Sequence, residues 1–260
     1  MIRTGLIASA ITITLMAGIA IWAGQQLPAE NIPVHWNAEG VADRFSDKNE
    51  ALFLLWLLPT SALFGALVFS LLPQIEPMRD NLFKSRKADN AVWITTMLLF
   101  LGIHCGIAYM MVIGSGSDMQ SNEFVRFVIA GTGLLFIILG NYLPKTRQNW
   151  FLGIRTPWTL SSEFTWEKTH RLAGRLFFLV GLVCMVSAFV VDGIGLVFVV
   201  TGAAVGSALI SAVYSFIIYR NAPDKRVSPD YIVQAPGLRR AQTSTRSSLL
   251  LSASQPAYRR

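Results

Sequence analysis

Charged side chains are scarce in this sequence. They make up 14% of its 260 residues, where soluble domains carry about a quarter. A soluble fold of this length has too little interior to hide so apolar a chain. Cysteine is nearly absent as well. Cys105 and Cys184 both fall inside apolar runs and read as small buried side chains. A disulfide framework, a CxxC pair or a zinc site would need more thiols or other spacings. The three histidines form no HExxH pair, and neither a phosphate loop nor a nucleophile elbow is present. Catalysis, a metal centre and a bound cofactor are therefore not expected.

Apolar length is what the chain has in plenty. It is 53% hydrophobic, with a mean hydropathy of +0.48. Six apolar runs stand out, at residues 5–24, 51–72, 91–113, 124–143, 173–191 and 194–219. Each is near the ~20 residues that cross a bilayer core as helix. Helix is the available state there, because lipid leaves every backbone polar group to be satisfied internally. The first run is longer than the apolar core of a signal peptide and ends on Trp22 and Gln25 without a small-residue cleavage site. It reads as an uncleaved helix. The fold class is thus all-α, a polytopic bundle of six transmembrane helices.

The net charge of +7 could point to nucleic acid, but its placement points to topology. With the N-terminus in the cytoplasm, 19 of the 22 Lys and Arg fall on the inner side; Arg44, Lys48 and Arg126 are the exceptions. Positive charge favours the cytoplasmic side of membrane proteins, so both termini are expected there. Residues 25–50 and 114–123 become outer loops, 73–90 and 144–172 inner loops, and Asp192 with Gly193 a tight outer turn. The basic tail, 221–260, is rich in Ser, Thr, Arg, Gln and Pro and reads as disordered.

The outer loop Leu27–Lys48 reads LPAENIPVHWNAEGVADRFSDK. Pro28, Pro33 and Gly40 favour turns over helix. His35, Asn37, Glu39, Asp43 and Asp47 supply polar groups, and Trp36 and Phe45 can anchor at the membrane surface. His35 with Asp43 and Asp47 could ligate a cation, though the spacing matches no metal motif. A folded acidic cap on the helix ends and a recognition surface for a cationic or amphipathic peptide both fit. The outer side carries eight acids against its three bases.

The inner loop Asn141–Gly174 reads NYLPKTRQNWFLGIRTPWTLSSEFTWEKTHRLAG. Pro144 should stop the fourth helix, and Thr156, before Pro157, should be extended. Ser161 or Ser162 can cap a new helix with Glu163 in its first turn. From Ser162 to Val191 that helix would be about 45 Å long, so its first turns must project beyond the ~30 Å core. Glu167 and Arg171 can pair across one turn, and Trp166 and His170 share a face. Trp150, Phe151, Trp158 and Trp166 suit an interface. Asn149, Arg155 and Thr156 could bind a phosphate or carboxylate. Within the spans, His104 is either a functional group or a neutral imidazole bonded to a neighbouring helix. Arg126 sits at the outer end of the fourth span. Gly202, Ala203, Ala204, Gly206, Ser207, Ala208 and Ser211 would let the last helix pack closely.

Two stretches are recognisable. IPVHWNAEGVADRFSDK resembles the signature of the DUF1648 domain, and GNYLPKTRQNWFLGIRTPWTLSSEFTWEKTHRLAGRLF closely resembles the core of the SdpI family. The resemblance implies a DUF1648-like region over 1–72, an SdpI-like region over 73–220 and an unrelated tail. It implies a bacterial cytoplasmic-membrane protein that gives immunity to, or senses, a secreted peptide toxin. A small transcriptional repressor held at the membrane is implied as an inner partner, without direct nucleic-acid binding by the chain itself. The outer motif falls on His35, Trp36, Asn37, Gly40 and Asp43. The inner motif falls on Asn141, Pro144, Lys145, Asn149, Gly153, Arg155, Thr156, Pro157, Trp158, Thr159, Trp166, Thr169, His170, Arg171 and Gly174. Two other readings stay open: a transporter or exporter using His104 and the last helix, and a membrane enzyme using Arg155 and His170.

The topology is directly measurable. Alkaline phosphatase, active only outside the cytoplasm, should be active when fused at residue 40 and inactive when fused at residue 150. The reverse pattern would overturn the assignment.

Overall fold

The computed structural model describes residues 2–114, 122–191 and 193–225. Ser115–Ser121, Asp192 and the tail from residue 226 lie outside them. The expectations placed there, including the disordered tail and most of the second outer loop, are not addressed.

Among the described residues, six helices are long and apolar enough to cross a membrane. They are α1 (Ile2–Gln26), α2 (Lys48–Ile75), α4 (Arg86–Ile113), α5 (Asn122–Tyr142), α7 (Glu163–Val190) and α8 (Gly193–Arg220). Two short helices, α3 (Arg79–Lys84) and α6 (Pro157–Ser161), lie in connections. Strands β1 (Ile32–Trp36) and β2 (Ala42–Ser46) form an antiparallel hairpin between α1 and α2. The six helices match the six apolar runs. Several of them are longer than the runs, since a helix does not end where the hydrocarbon does. At 28 residues, α4 is about 42 Å long.

Two connections depart from the sequence reading. The expected inner loop 73–90 is shorter, because α2 continues through Ile75 and α4 begins at Arg86. The outer loop is not merely turns. Ile32 is fully buried against Leu27, Leu55 and Met111, and the alternation from Ile32 to Trp36 forms a strand edge on that core. Its turn is closed by Asn37, whose Oδ1 accepts from the Glu39 and Val41 amides, and by Gly40 at φ 73°.

Helices α1, α2 and α4 pack together, as do α5, α7 and α8; α4 against α5 joins the two groups. In the first group, Gly5 leaves room for the Trp93 ring, whose Nε1 donates to Ser9 Oγ at 2.9 Å. His104 Nε2 lies 3.0 Å from the Met16 carbonyl oxygen of α1, so this histidine ties two helices together.

In the second group, glycines let two backbones touch. A Cβ on Gly140 would lie 2.6 Å from the Gly174 carbonyl oxygen and 2.5 Å from the Phe178 nitrogen. A Cβ on Gly181 would lie 2.6 Å from the Gly133 carbonyl oxygen. Each helix thus offers two glycines seven residues apart to the other. Lipid gives apolar helix faces no reason to associate, so close van der Waals contact of this kind carries the association. The sequence reading had placed close packing on α8. That holds in part: Ser207 and Ser211 are buried, and Ala203 and Ala204 pack against the cluster shared by α7 and α8, whereas among the described residues Cβ atoms on Gly202 and Gly206 would meet nothing within 4 Å. The cysteine reading is half corrected: Cys184 is buried, whereas Cys105 is exposed on the helix surface. An apolar helix face turned to lipid has no need to be hidden.

Gly140→Ala should lower the melting midpoint in detergent, at a cost of about 1–3 kcal/mol, because backbone atoms on the facing helix cannot yield. Gly206→Ala should leave it unchanged. Equal effects would show that the α5–α7 contact is not tight.

Candidate functional site

The segment joining α5 to α7 is a built structure. After α5, Leu143–Lys145 form a 3-10 turn around Pro144. Thr146 then turns extended, and its carbonyl oxygen accepts from Trp166 Nε1 at 3.1 Å. Trp166, read as an interfacial aromatic, is 1% exposed. An indole inside a protein needs a partner for its N–H, and this one has the loop backbone. The Trp150 side chain does remain about half exposed.

Asn149 is fully buried and acts as the keystone of the next turn. Its Oδ1 accepts from the Phe151 and Leu152 amides at 2.8 and 2.7 Å, and its Nδ2 donates to the Arg147 carbonyl at 2.7 Å. Thr156 is extended at ψ 159° and caps α6. Thr159 Oγ1 accepts from the Thr156 amide at 3.0 Å and donates to the Ile154 carbonyl at 2.7 Å. Thr156 Oγ1 also meets Ser215 Oγ of α8 at 3.0 Å, and the Trp158 ring packs on Phe216. Pro157 opens α6. Ser162 caps α7 by accepting from the Thr165 amide at 3.0 Å, as the sequence indicated.

His170 closes the loop. Its ring stacks on Trp166 with centroids 3.9 Å apart. Nδ1 donates to the Trp166 carbonyl, 2.8 Å away, and Nε2 accepts from the Ile154 amide, 3.0 Å away. These two bonds require the neutral tautomer with the proton on Nδ1, because a protonated Nε2 would face another donor. Gly153, at φ 127°, passes directly under Nε2, where a Cβ would collide with the ring. Both ring nitrogens are therefore occupied, which leaves His170 without the free nitrogen that acid–base chemistry needs.

The charged residues lie on the outside of this core. Arg147 Nη1 reaches Glu167 at 3.2 Å and Glu163 at 3.4 Å, and Glu167 reaches Arg171 at 3.8 Å. These are exposed pairs of small energetic weight. Arg155 Nη1 donates to the Trp150 carbonyl, and Lys145 to Asn141 Oδ1. Thr169 is buried, its hydroxyl without a hydrogen-bond partner among the described residues. The polar atoms of Asn149 and Thr156, read as anion-binding candidates, are engaged by the loop and, for Thr156, by Ser215 of α8.

Sequence reasoning missed the residues that receive the loop from below. Glu76, 5% exposed, accepts the Trp150 amide on Oε2 and the Met78 amide on Oε1. Ser85 Oγ accepts the Arg147 amide, and Asn81 Nδ2 donates to the Gln148 carbonyl. The available signal was an acid, Glu76, placed directly before Pro77 at the end of a long apolar run.

At the other end of the bundle, His35 Nδ1 and Asp43 Oδ1 are 2.5 Å apart, with both side chains substantially exposed. Among the described residues no cluster of metal-ligating side chains is present, and Asp47 instead caps α2. Behind His35, Trp36 and Asn37 opens a cavity of about 400 Å³. Its walls include Leu54, Leu57, Leu58, Ile107, Phe124 and Val128. Three of the five outer-motif residues thus border one apolar cavity.

Six spanning helices, a hairpin on one end and a folded loop on the other define a multi-pass membrane protein. Residues 145–218 match the SdpI/YfhL protein family, and residues 11–60 match the domain of unknown function DUF1648. The chain therefore carries an SdpI-family region behind a DUF1648 region, as its two loops indicated. It is 27% identical over 183 residues to Immunity protein SdpI of Bacillus subtilis (strain 168), covering 70% of this chain and 81% of that protein. No solved structure matches.

His170→Phe keeps the ring but removes the acceptor, and Gly153→Ala displaces the backbone that uses it. Each should leave the Ile154 amide unpaired, at a cost of about 1–3 kcal/mol. Trypsin should then cut at Arg147 and Arg155 faster than in the parent protein. Unchanged cleavage in both variants would remove His170 from this role.

Proposed function

We propose that this chain is an immunity protein of a bacterial cytoplasmic membrane, protecting its cell from a secreted amphipathic peptide. The cavity behind the hairpin carries the reading. Its walls are apolar, its rim holds His35 and Asn37, and it lies on the side that the charge distribution assigns to the exterior. A peptide could place an apolar side chain in the cavity while its cationic groups meet the exposed acids Glu39 and Asp43. The named function of the Bacillus subtilis relative supports the same reading. In this account His35, Trp36, Asn37, Gly40 and Asp43 form or shape the binding face. On the opposite face, exposed Trp150 and Arg155 are available to a cytoplasmic partner such as a small repressor.

The structure gives less support to the alternatives. Transport was motivated by His104, which is bonded to a neighbouring helix, and by the small-residue α8, whose Ser207, Ser211, Ala203 and Ala204 are taken up in packing within the bundle. A lipid-modifying enzyme was motivated by His170, whose ring nitrogens are both engaged.

Expression in a sensitive bacterium should raise survival against at least one secreted peptide in a broad panel. Val128→Trp, which fills the cavity from α5 and leaves every hairpin residue unchanged, should abolish that protection at unchanged membrane abundance. No protection across the panel, or full protection by Val128→Trp, would overturn the reading.

A further inference from the structure

At the loop end of the bundle lies a second, smaller cavity of about 220 Å³. Its walls are Val68, Phe69 and Leu72 of α2, Val92 of α4, and Phe151 and Leu152 of the folded loop. The one charged residue lining it is Asp89, in the first turn of α4. Asp89 is 6% exposed, and its buried Oδ2 accepts no hydrogen bond among the described residues. A buried carboxylate oxygen without a partner is costly, and native structures rarely leave one so.

The surroundings deepen the imbalance. Glu76 is also buried, lies within electrostatic reach of Asp89 and has both oxygens taken by backbone amides. Among the described residues neither acid forms an ion pair, although Arg86 and Lys87 are neighbours of Asp89 in sequence. The N-terminal end of α4 offsets part of the negative charge but gives Oδ2 no donor. The cavity therefore combines apolar walls with an unmet demand for a positive hydrogen-bond donor.

We propose that this cavity is a binding site for a primary ammonium group carried on a small apolar body, with Asp89 as its anchor. The volume is below that of a typical drug-sized site, so the guest is a compact amine or the amine end of a longer amphiphile. The same chemistry is offered by a free aryl- or alkylamine and by the ethanolamine headgroup of a phospholipid. Because Phe151 and Leu152 are held by Asn149, one wall belongs to the loop and the others to α2 and α4. An occupied site would hold the loop against those helices. The proposal is independent of the toxin reading, since it concerns the opposite end of the bundle.

The test uses the full chain in phosphatidylcholine nanodiscs, titrated calorimetrically with 2-phenylethylamine and with 2-phenylethanol, its uncharged near-isostere. The amine should bind at least about tenfold more tightly than the alcohol. Asp89→Asn should erase that preference while keeping the side chain's shape. Val92→Phe, which leaves Asp89 intact and fills the cavity, should abolish binding of both. Equal affinities, no binding of the amine, or an unchanged preference in Asp89→Asn would overturn the proposal. Repeating the titration in phosphatidylethanolamine distinguishes the sources. Weaker apparent amine binding there identifies the lipid ammonium as an occupant, and unchanged binding identifies a free amine; both retain the Asp89 site.

Discussion

Gly140 of α5 and Gly174 of α7 bring two helix backbones into direct contact, and the loop that joins those helices is built on the result. In lipid, apolar side chains gain little by meeting one another, so the closeness of backbones matters more than the greasiness of faces. The contact holds the start of α7 beside the end of α5. Trp166 can then donate back to Thr146, and His170, one turn on, can accept from Ile154. A wider spacing of the two helices would separate these donors and acceptors. The aromatic and polar residues of the loop would then have no fixed frame.

That frame explains why a membrane protein keeps so many polar residues in one connection. Asn149, Thr156, Thr159 and His170 satisfy backbone groups that a compact loop must bury. Glu76, Ser85 and Asn81 receive the same loop from the α2–α4 side. The loop therefore bridges the two helix groups, joining the DUF1648-matching portion's neighbourhood to the SdpI-matching portion. Polarity in the inner motif serves architecture first. The groups left for partners are the outward ones, such as Trp150 and Arg155.

Much of this was legible in the sequence, for particular physical reasons. Spans are set by hydrocarbon thickness, so six apolar runs gave six helices. Pro144, Thr156 before Pro157, and Ser162 act through local backbone chemistry and were read in place. The shared face of Trp166 and His170 followed from helical spacing. What depends on distant partners was hidden. Nothing in the window around Asn149 says that its amide is buried, and nothing near Glu76 says that it holds Trp150. The small residues of α8 do pack in part, through Ser207 and Ser211, while the backbone-to-backbone contact uses sparser glycines on α5 and α7. The hairpin was missed because its strands are five residues each and contain Pro33 and polar side chains. Its inward strand is fixed by Ile32 reaching a core built from other helices.

The 146–156 connection is a folded structure keyed by Asn149 and His170 rather than a loose loop. Hydrogen exchange at the amides of Phe151, Leu152 and Ile154 in the full chain measures it directly. These three amides should exchange far more slowly than those of an unstructured peptide, and Ile154 should lose its protection in His170→Phe. Exchange at the unstructured rate in the parent protein would contradict the account.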